Sequence, residues 1–102
     1  MIRRNTNDAK RSFDVLQTSD GSQTAIMALD PGESSGEKAN EHPQSEQILL
    51  VLEGEVTAEI GDETARLRKG DVVIVPRSAP HRFTNRGEKK ALTFNVYVPP
   101  AY

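Results

Sequence analysis

Cysteine is absent from this chain. Disulfides and thiolate-ligated metal sites are excluded with it, and nothing calls for an oxidising compartment. Histidine is nearly absent, with two in 102 residues. No apolar run approaches the length that spans a bilayer. The positively charged start, "MIRRNTNDAK", is not followed by the apolar stretch of a secretory signal. No basic stripe stands out either. The 13 Lys and Arg are mixed among 15 Asp and Glu for a formal net charge of −2, which argues against nucleic acid as a partner. There is no glycine-rich phosphate loop and no serine set in a turn beside a His–carboxylate pair. These absences leave a single soluble domain, expected in the cytoplasm. Its chemistry must rest on a metal or on the two histidines as acid–base groups.

What is present reads as strands. No segment sustains a 3.6-residue apolar period, and short apolar stretches recur every eight to twelve residues with turn signals between them. Residues 1–10 lack periodicity and are expected to form a flexible arm, with the domain over residues 11–102. "FDVLQTSDGSQTAIMAL" reads as a hairpin about Asp20-Gly21, a dipeptide suited to the positive φ angles of a type I′ turn. Residues 47–53 are apolar at both alternations, which predicts a strand buried on both faces. "EVTAEI" alternates, with Val56, Ala58 and Ile60 on one face and Glu55, Thr57 and Glu59 on the other. Val72 to Val75 form a short β-branched strand that Pro76 ends. "LTFNVYVPP" alternates Leu92, Phe94, Val96 and Val98 against Thr93, Asn95 and Tyr97, and core packing is expected for Phe83 and Phe94. Asn85 suits the turn before Gly87. The pattern is that of a small all-β sandwich or barrel.

Both histidines stand where an apolar strand meets a loop, in "NEHPQSEQILLVLEG" and "GDVVIVPRSAPHRFTN". The second stretch resembles the second motif of the cupin family. That motif runs glycine, five residues, proline, one residue, glycine, two residues, histidine, three residues, asparagine. Gly70, Pro76, His81 and Asn85 fall on it, and Ser78 stands where the family has its second glycine. The first stretch is similar to the family's other motif, two histidines one residue apart, then a glutamate and, after six intervening residues, a glycine. Gly54 sets the register. Asn40 falls on the first histidine, His42 on the second and Gln47 on the glutamate.

The resemblance runs from about Pro31 to Pro100. It implies a small single-domain cupin, a double-stranded β-helix or jelly-roll barrel with its site inside. In the family pattern three histidines and a glutamate hold a divalent metal. The set implied here is Asn40, His42, Gln47 and His81, for Zn, Fe, Mn or Ni, with two imidazoles and no anionic ligand. Water, a substrate carboxylate or Glu46 would complete the shell, although alternation sends Glu46 outward. Gln47 has a second role open to it, as a buried amide satisfying backbone groups at a strand start. The implied function is an interior metal site binding a small polar or anionic ligand, with oxygenase and isomerase among the activities. The alternative is a metal-free module that binds or senses a small molecule in the same pocket. A homodimer is expected, because a small barrel leaves exposed sheet edges and an outer sheet face, and "RSFDVLQ" is a segment that would add to a partner's sheet.

Overall fold

The structure is a computed structural model and describes residues 1–102. Eight strands follow a single 3₁₀ turn at Thr6–Asp8: β1 (Phe13–Thr18), β2 (Gln23–Leu29), β3 (Glu46–Glu53), β4 (Glu55–Ile60), β5 (Glu63–Arg68), β6 (Val72–Val75), β7 (His81–Thr84) and β8 (Ala91–Val98). They build a five-stranded sheet in the order β1-β2-β8-β3-β6 and a three-stranded sheet in the order β5-β4-β7. All the sheet pairings are antiparallel. Leu49 and Val51 of the large sheet meet Val56 and Phe83 of the small one in the apolar core between them. This is the jelly-roll barrel. No helix is long and apolar enough to cross a membrane.

The β1–β2 hairpin forms where expected, but neither Asp20 nor Gly21 takes a positive φ. Ser19 closes the connection instead. Its hydroxyl accepts from the N–H groups of Gly21 (3.3 Å) and Ser22 (3.2 Å), and its own N–H donates to Ser22 O. A serine side chain that mimics a backbone turn removes the need for left-handed residues. The first ten residues run beside β1: Gln17 Nε2 donates to Ile2 O at 2.8 Å and Arg4 to Leu16 O at 3.0 Å. Gly54 is the corner at which the chain leaves the large sheet for the small one. Its φ is +71°, and a Cβ there would sit 2.7 Å from Lys90 O, so only glycine fits.

Two expectations about burial are corrected. The first concerns β3. Its inward residues Gln47, Leu49 and Val51 are buried, while Ile48, Leu50 and Leu52 remain half-exposed on the outer face of the large sheet. The strand is therefore covered on one face only within the chain. The second concerns β8, where the polar alternation points inward. Thr93 and Asn95 are fully buried and Tyr97 nearly so, while Phe94 lies on the outer face with Leu92 and Val96. Phe83 does belong to the core. Asn85 is the buried hub of its turn: its amide donates to Leu29 O and Lys89 O, and its oxygen accepts from Gly87 N.

Between β2 and β3 the chain makes a long loop that lies along the free edge of β7. Ser35 and Phe83 exchange hydrogen bonds, as do Ala39 and His81. This pairing anchors His81 at the first position of β7 and sets the loop that carries His42 across the barrel mouth.

Candidate functional site

The structure brings three of the four expected residues together. His42, Gln47 and His81 are all buried, at 5%, 3% and 6% exposure. The two imidazole rings lie 4.6 Å apart, centroid to centroid, and His42 Nε2 is 2.9 Å from Gln47 Oε1. Asn40 is not part of this group. It sits exposed on the loop, since the residue next to the Ala39–His81 bridge turns its side chain to solvent. Glu46 alternates away from Gln47, opposite Val98. No three His, Cys, Asp or Glu side chains gather where they would hold a metal ion, so any cation here depends on the Gln47 amide.

The polarity of the buried chain behind Gln47 is set by backbone carbonyls, which only accept. Thr93 Oγ1 lies 3.2 Å from Met27 O and must donate to it. Asn95 Nδ2 then donates to Thr93 Oγ1 at 3.0 Å and faces Ala25 O, which forbids the flipped amide. Asn95 Oδ1 accepts from Gln47 Nε2 at 2.8 Å. Gln47 Oε1 is thereby aimed at His42 Nε2. At the far end, His42 Nδ1 lies 3.1 Å from Ser45 O, another acceptor. A neutral imidazole has one ring proton and here has two acceptor neighbours. The chain is one proton short.

If the proton sits on Nδ1 and is donated to Ser45 O, two lone pairs face each other across the His42–Gln47 contact; if it sits on Nε2, it is donated to Gln47 Oε1 and the lone pair of Nδ1 faces Ser45 O. His81 repeats the arrangement: its Nδ1 lies 3.0 Å from Ala79 O, which leaves Nε2 as the nitrogen with a free lone pair. Imidazoles tied by Nδ1–H to a backbone carbonyl are oriented as metal ligands are. Burial, with His42 alongside, lowers the pKa of His81 below its ordinary value, although the Ala79 carbonyl works against that shift. The neutral ring is thus favoured. Two imidazole nitrogens and an oriented amide oxygen fit a cation as a weak donor set, lacking charge of its own.

A cavity of about 250 Å³ adjoins the group. Gln47 and His81 stand in its wall with Phe13, Met27, Tyr97 and Tyr102; His42 does not reach it. An aromatic ladder runs along one side. Phe13 packs on Tyr102 (4.9 Å), Tyr102 on Tyr97 (5.0 Å) and Tyr97 on His42 (5.1 Å). Gln23 holds the end of the ladder, accepting from the N–H groups of Ala101 and Tyr102 and donating to Tyr102 O. Burial raises the pKa of both tyrosines, so both hydroxyls stay protonated at neutral pH. Glu41 and Glu33 supply the carboxylates of the wall.

Sequence reasoning missed Asn95, Thr93, Glu41 and Tyr102. A signal existed for the first two. A polar alternation on a strand with Val and Leu neighbours is odd unless that face has partners. Glu41 stood beside His42 in the motif, but nothing local showed which way a loop carboxylate turns.

The fold and this buried group define a jelly-roll barrel with a buried polar cluster beside an interior cavity. The family model for the cupin domain matches residues 25–97, and the chain belongs to that family. It is 36% identical over 65 residues to the tetracenomycin polyketide synthase protein TcmJ of Streptomyces glaucescens, covering 64% of this chain and 42% of that protein. It is 36% identical over 66 residues to the polyketide synthase CurC of Streptomyces cyaneus, covering 65% and 42%. The chain thus spans less than half the length of these two relatives. Among solved structures, TT1209 from Thermus thermophilus superposes with a TM-score of 0.84 at 28% identity, covering 97% of this chain and 98% of that one.

Proposed function

We propose that this cupin holds a divalent cation, one of Zn, Fe, Mn or Ni, on His42, His81 and the amide oxygen of Gln47, and binds a small polar or anionic ligand in the adjoining cavity. One observation carries this reading. His42 Nε2 lies 2.9 Å from Gln47 Oε1, and with the ring proton on Nδ1, toward Ser45 O, the two face each other as acceptors. A cation supplies what two converged lone pairs lack. When bound, it would act as a Lewis acid on a ligand oxygen, the chemistry that oxygenases and isomerases of this kind need. The protein's own residues do the rest. Asn95 and the carbonyls of Ser45 and Ala79 aim the donors, and Phe13, Tyr97 and Tyr102 offer flat apolar walls. An oxygen-bearing cyclic ligand suits such walls, and the two relatives named for polyketide synthases support that class. The absence of cysteine and of a basic stripe supports a cytoplasmic setting without nucleic acid.

A second reading rests on the missing carboxylate ligand. In it the short contact is closed by a His42 ring proton on Nε2 donated to Gln47 Oε1, and the cavity binds its ligand through hydrogen bonds alone. Thermal melts of chelator-treated protein with added Zn, Fe, Mn or Ni separate the two. A ligand at a hundredfold its Kd stabilises the folded state by about 2.7 kcal/mol. The cation reading expects a rise in Tm that is lost in His81→Ala and enlarged in Gln47→Glu. The same Gln47→Glu change turns a carboxylate oxygen toward Asn95 Oδ1, so without an ion that variant should melt below the parent. A parent whose Tm responds to none of the four ions leaves the hydrogen-bonding pocket.

A further inference from the structure

The cavity wall carries charge of one sign. Glu33 and Glu41 bring two carboxylates to it, and no lysine or arginine lines it. Both come from the loop between β2 and β3. Glu33 is fixed there by its carbonyl, which accepts from Asn85 N at 2.9 Å, and by its Oε1, which accepts from Asp30 N at 2.7 Å. Neither carboxylate has a cationic partner: the chain's ion pairs are Arg4–Asp8, Arg66–Glu55, Lys69–Glu53 and Arg82–Glu59. The Glu41 charge reaches the aromatic side of the cavity. Burial raises the pKa of Tyr97 and Tyr102, and Glu41 adds to the rise in both.

A buried group opposite the loop also accepts. His81 is 6% exposed, with Nδ1 turned to Ala79 O. Its Nε2 has no hydrogen-bond partner, and no fully buried side-chain nitrogen or oxygen lacks one, so this nitrogen opens on the cavity that His81 lines. An unpartnered acceptor in an enclosed wall is complementary to a donor. The rest of the wall is largely aromatic, with Phe13, Phe83, Tyr97 and Tyr102. The faces of such rings attract a cation lying within about 6 Å.

We propose that the cavity takes a small organic cation, a protonated amine on a single ring or short apolar body. The proposal rests on the reading above only in that the cavity binds a small ligand, which it narrows to a cation, and it makes no use of the divalent ion. An ammonium group brings positive charge and N–H donors. The wall offers two carboxylates and an imidazole lone pair to receive them, and flat rings for the apolar body. A carboxylate or phosphate ligand would instead meet two like charges with no lysine or arginine to offset them. Volume sets the size. At about 250 Å³ the cavity is smaller than the roughly 300–1,000 Å³ of drug-sized pockets, which suits one ring and a short arm.

Three probes of one shape and different charge test this: benzylamine, benzyl alcohol and benzoate. Each is titrated into the chelator-treated full chain and followed by backbone amide NMR shifts. Benzylamine is expected to bind at least about tenfold more tightly than benzyl alcohol, the factor that one hydrogen bond to a charged group supplies, and benzoate more weakly than either. Glu41→Gln, a change at an exposed loop residue, should remove most of the amine preference. Glu37→Gln, on the same loop but outside the cavity wall, should keep it. Should Glu41→Gln not fold, salt gives a second measurement on the parent: screening should weaken benzylamine and spare benzyl alcohol. Equal affinities, a preference for benzoate, a preference that survives Glu41→Gln, or equal salt dependence overturns the proposal and leaves the cavity as a ligand site. Binding of none of the three overturns the proposal together with the ligand cavity.

Discussion

Strands β4 and β8 have the same sequence grammar and opposite fates. Both alternate apolar with polar. β4 buries Val56 and Ala58 and turns Glu55, Thr57 and Glu59 outward. β8 buries Thr93, Asn95 and Tyr97 and turns Leu92, Phe94 and Val96 outward. The difference lies in what each inward face meets. Val56 meets Leu67 and the rest of the apolar core. Asn95 meets Gln47, Thr93 and Ala25 O, so both its amide oxygen and its amide nitrogen are hydrogen-bonded. A buried amide is tolerable when bonded and costly when not. The polar face of β8 is inside because its groups find hydrogen-bond partners there, and its apolar face lies on the outside of the large sheet.

The largest test of the contrast is to give β4 the chemistry of β8. Val56→Asn places an amide where no partner exists and removes apolar contact. It should cost about 3–5 kcal/mol in chemical denaturation, from lost packing and an unsatisfied group together. The converse change, Asn95→Leu, is close in size but strands Gln47 Nε2 and frees Gln47 Oε1 to turn away. The expected loss is about 1–3 kcal/mol, with a weakened Tm response to divalent ions. A variant that is stable and still responds to ions would mean that the buried chain does not orient Gln47.

A third test uses pH on chelator-treated protein. The pKa of His81 is lowered in the fold, chiefly by burial, so the unfolded chain binds the proton more tightly. The stability that comes from keeping His81 neutral is complete above about pH 6.5, the ordinary histidine value, and is lost as pH falls from there toward the folded pKa. His81→Phe should flatten that part of the stability profile. An unchanged profile would assign the pH dependence to other groups. The smallest effect is expected at Ser78, the one non-glycine residue with positive φ, at +68°. It occupies the position of a family glycine. Ser78→Gly removes left-handed strain of roughly 1–2 kcal/mol but adds freedom to the unfolded chain. A net gain of up to about 1 kcal/mol in a denaturant titration is the expected outcome.

Much of this protein was legible before any coordinates. Turn residues and period-two alternation were enough for an all-β chain and for Asn85 in its turn, and the resemblance to the two cupin motifs implied that His42, Gln47 and His81 come together, as their side chains do. The first inferences rest on local chemistry, which a sequence records directly, and the last on a family pattern. Which way each alternating face points is not recorded there. Period two fixes that a strand has two faces but not which one is inside. That choice depends on partners far away in sequence: Asn95 finds Gln47 48 residues back and Ala25 O 70 residues back. The same holds for Glu41 and Tyr102, brought to one cavity by a loop paired to β7 and by Gln23. Asn40 shows the limit from the other side, since it occupies a motif position yet its side chain turns to solvent. Only the assembled barrel could decide that β8 keeps its polar face inside, because only there does every buried donor meet its acceptor.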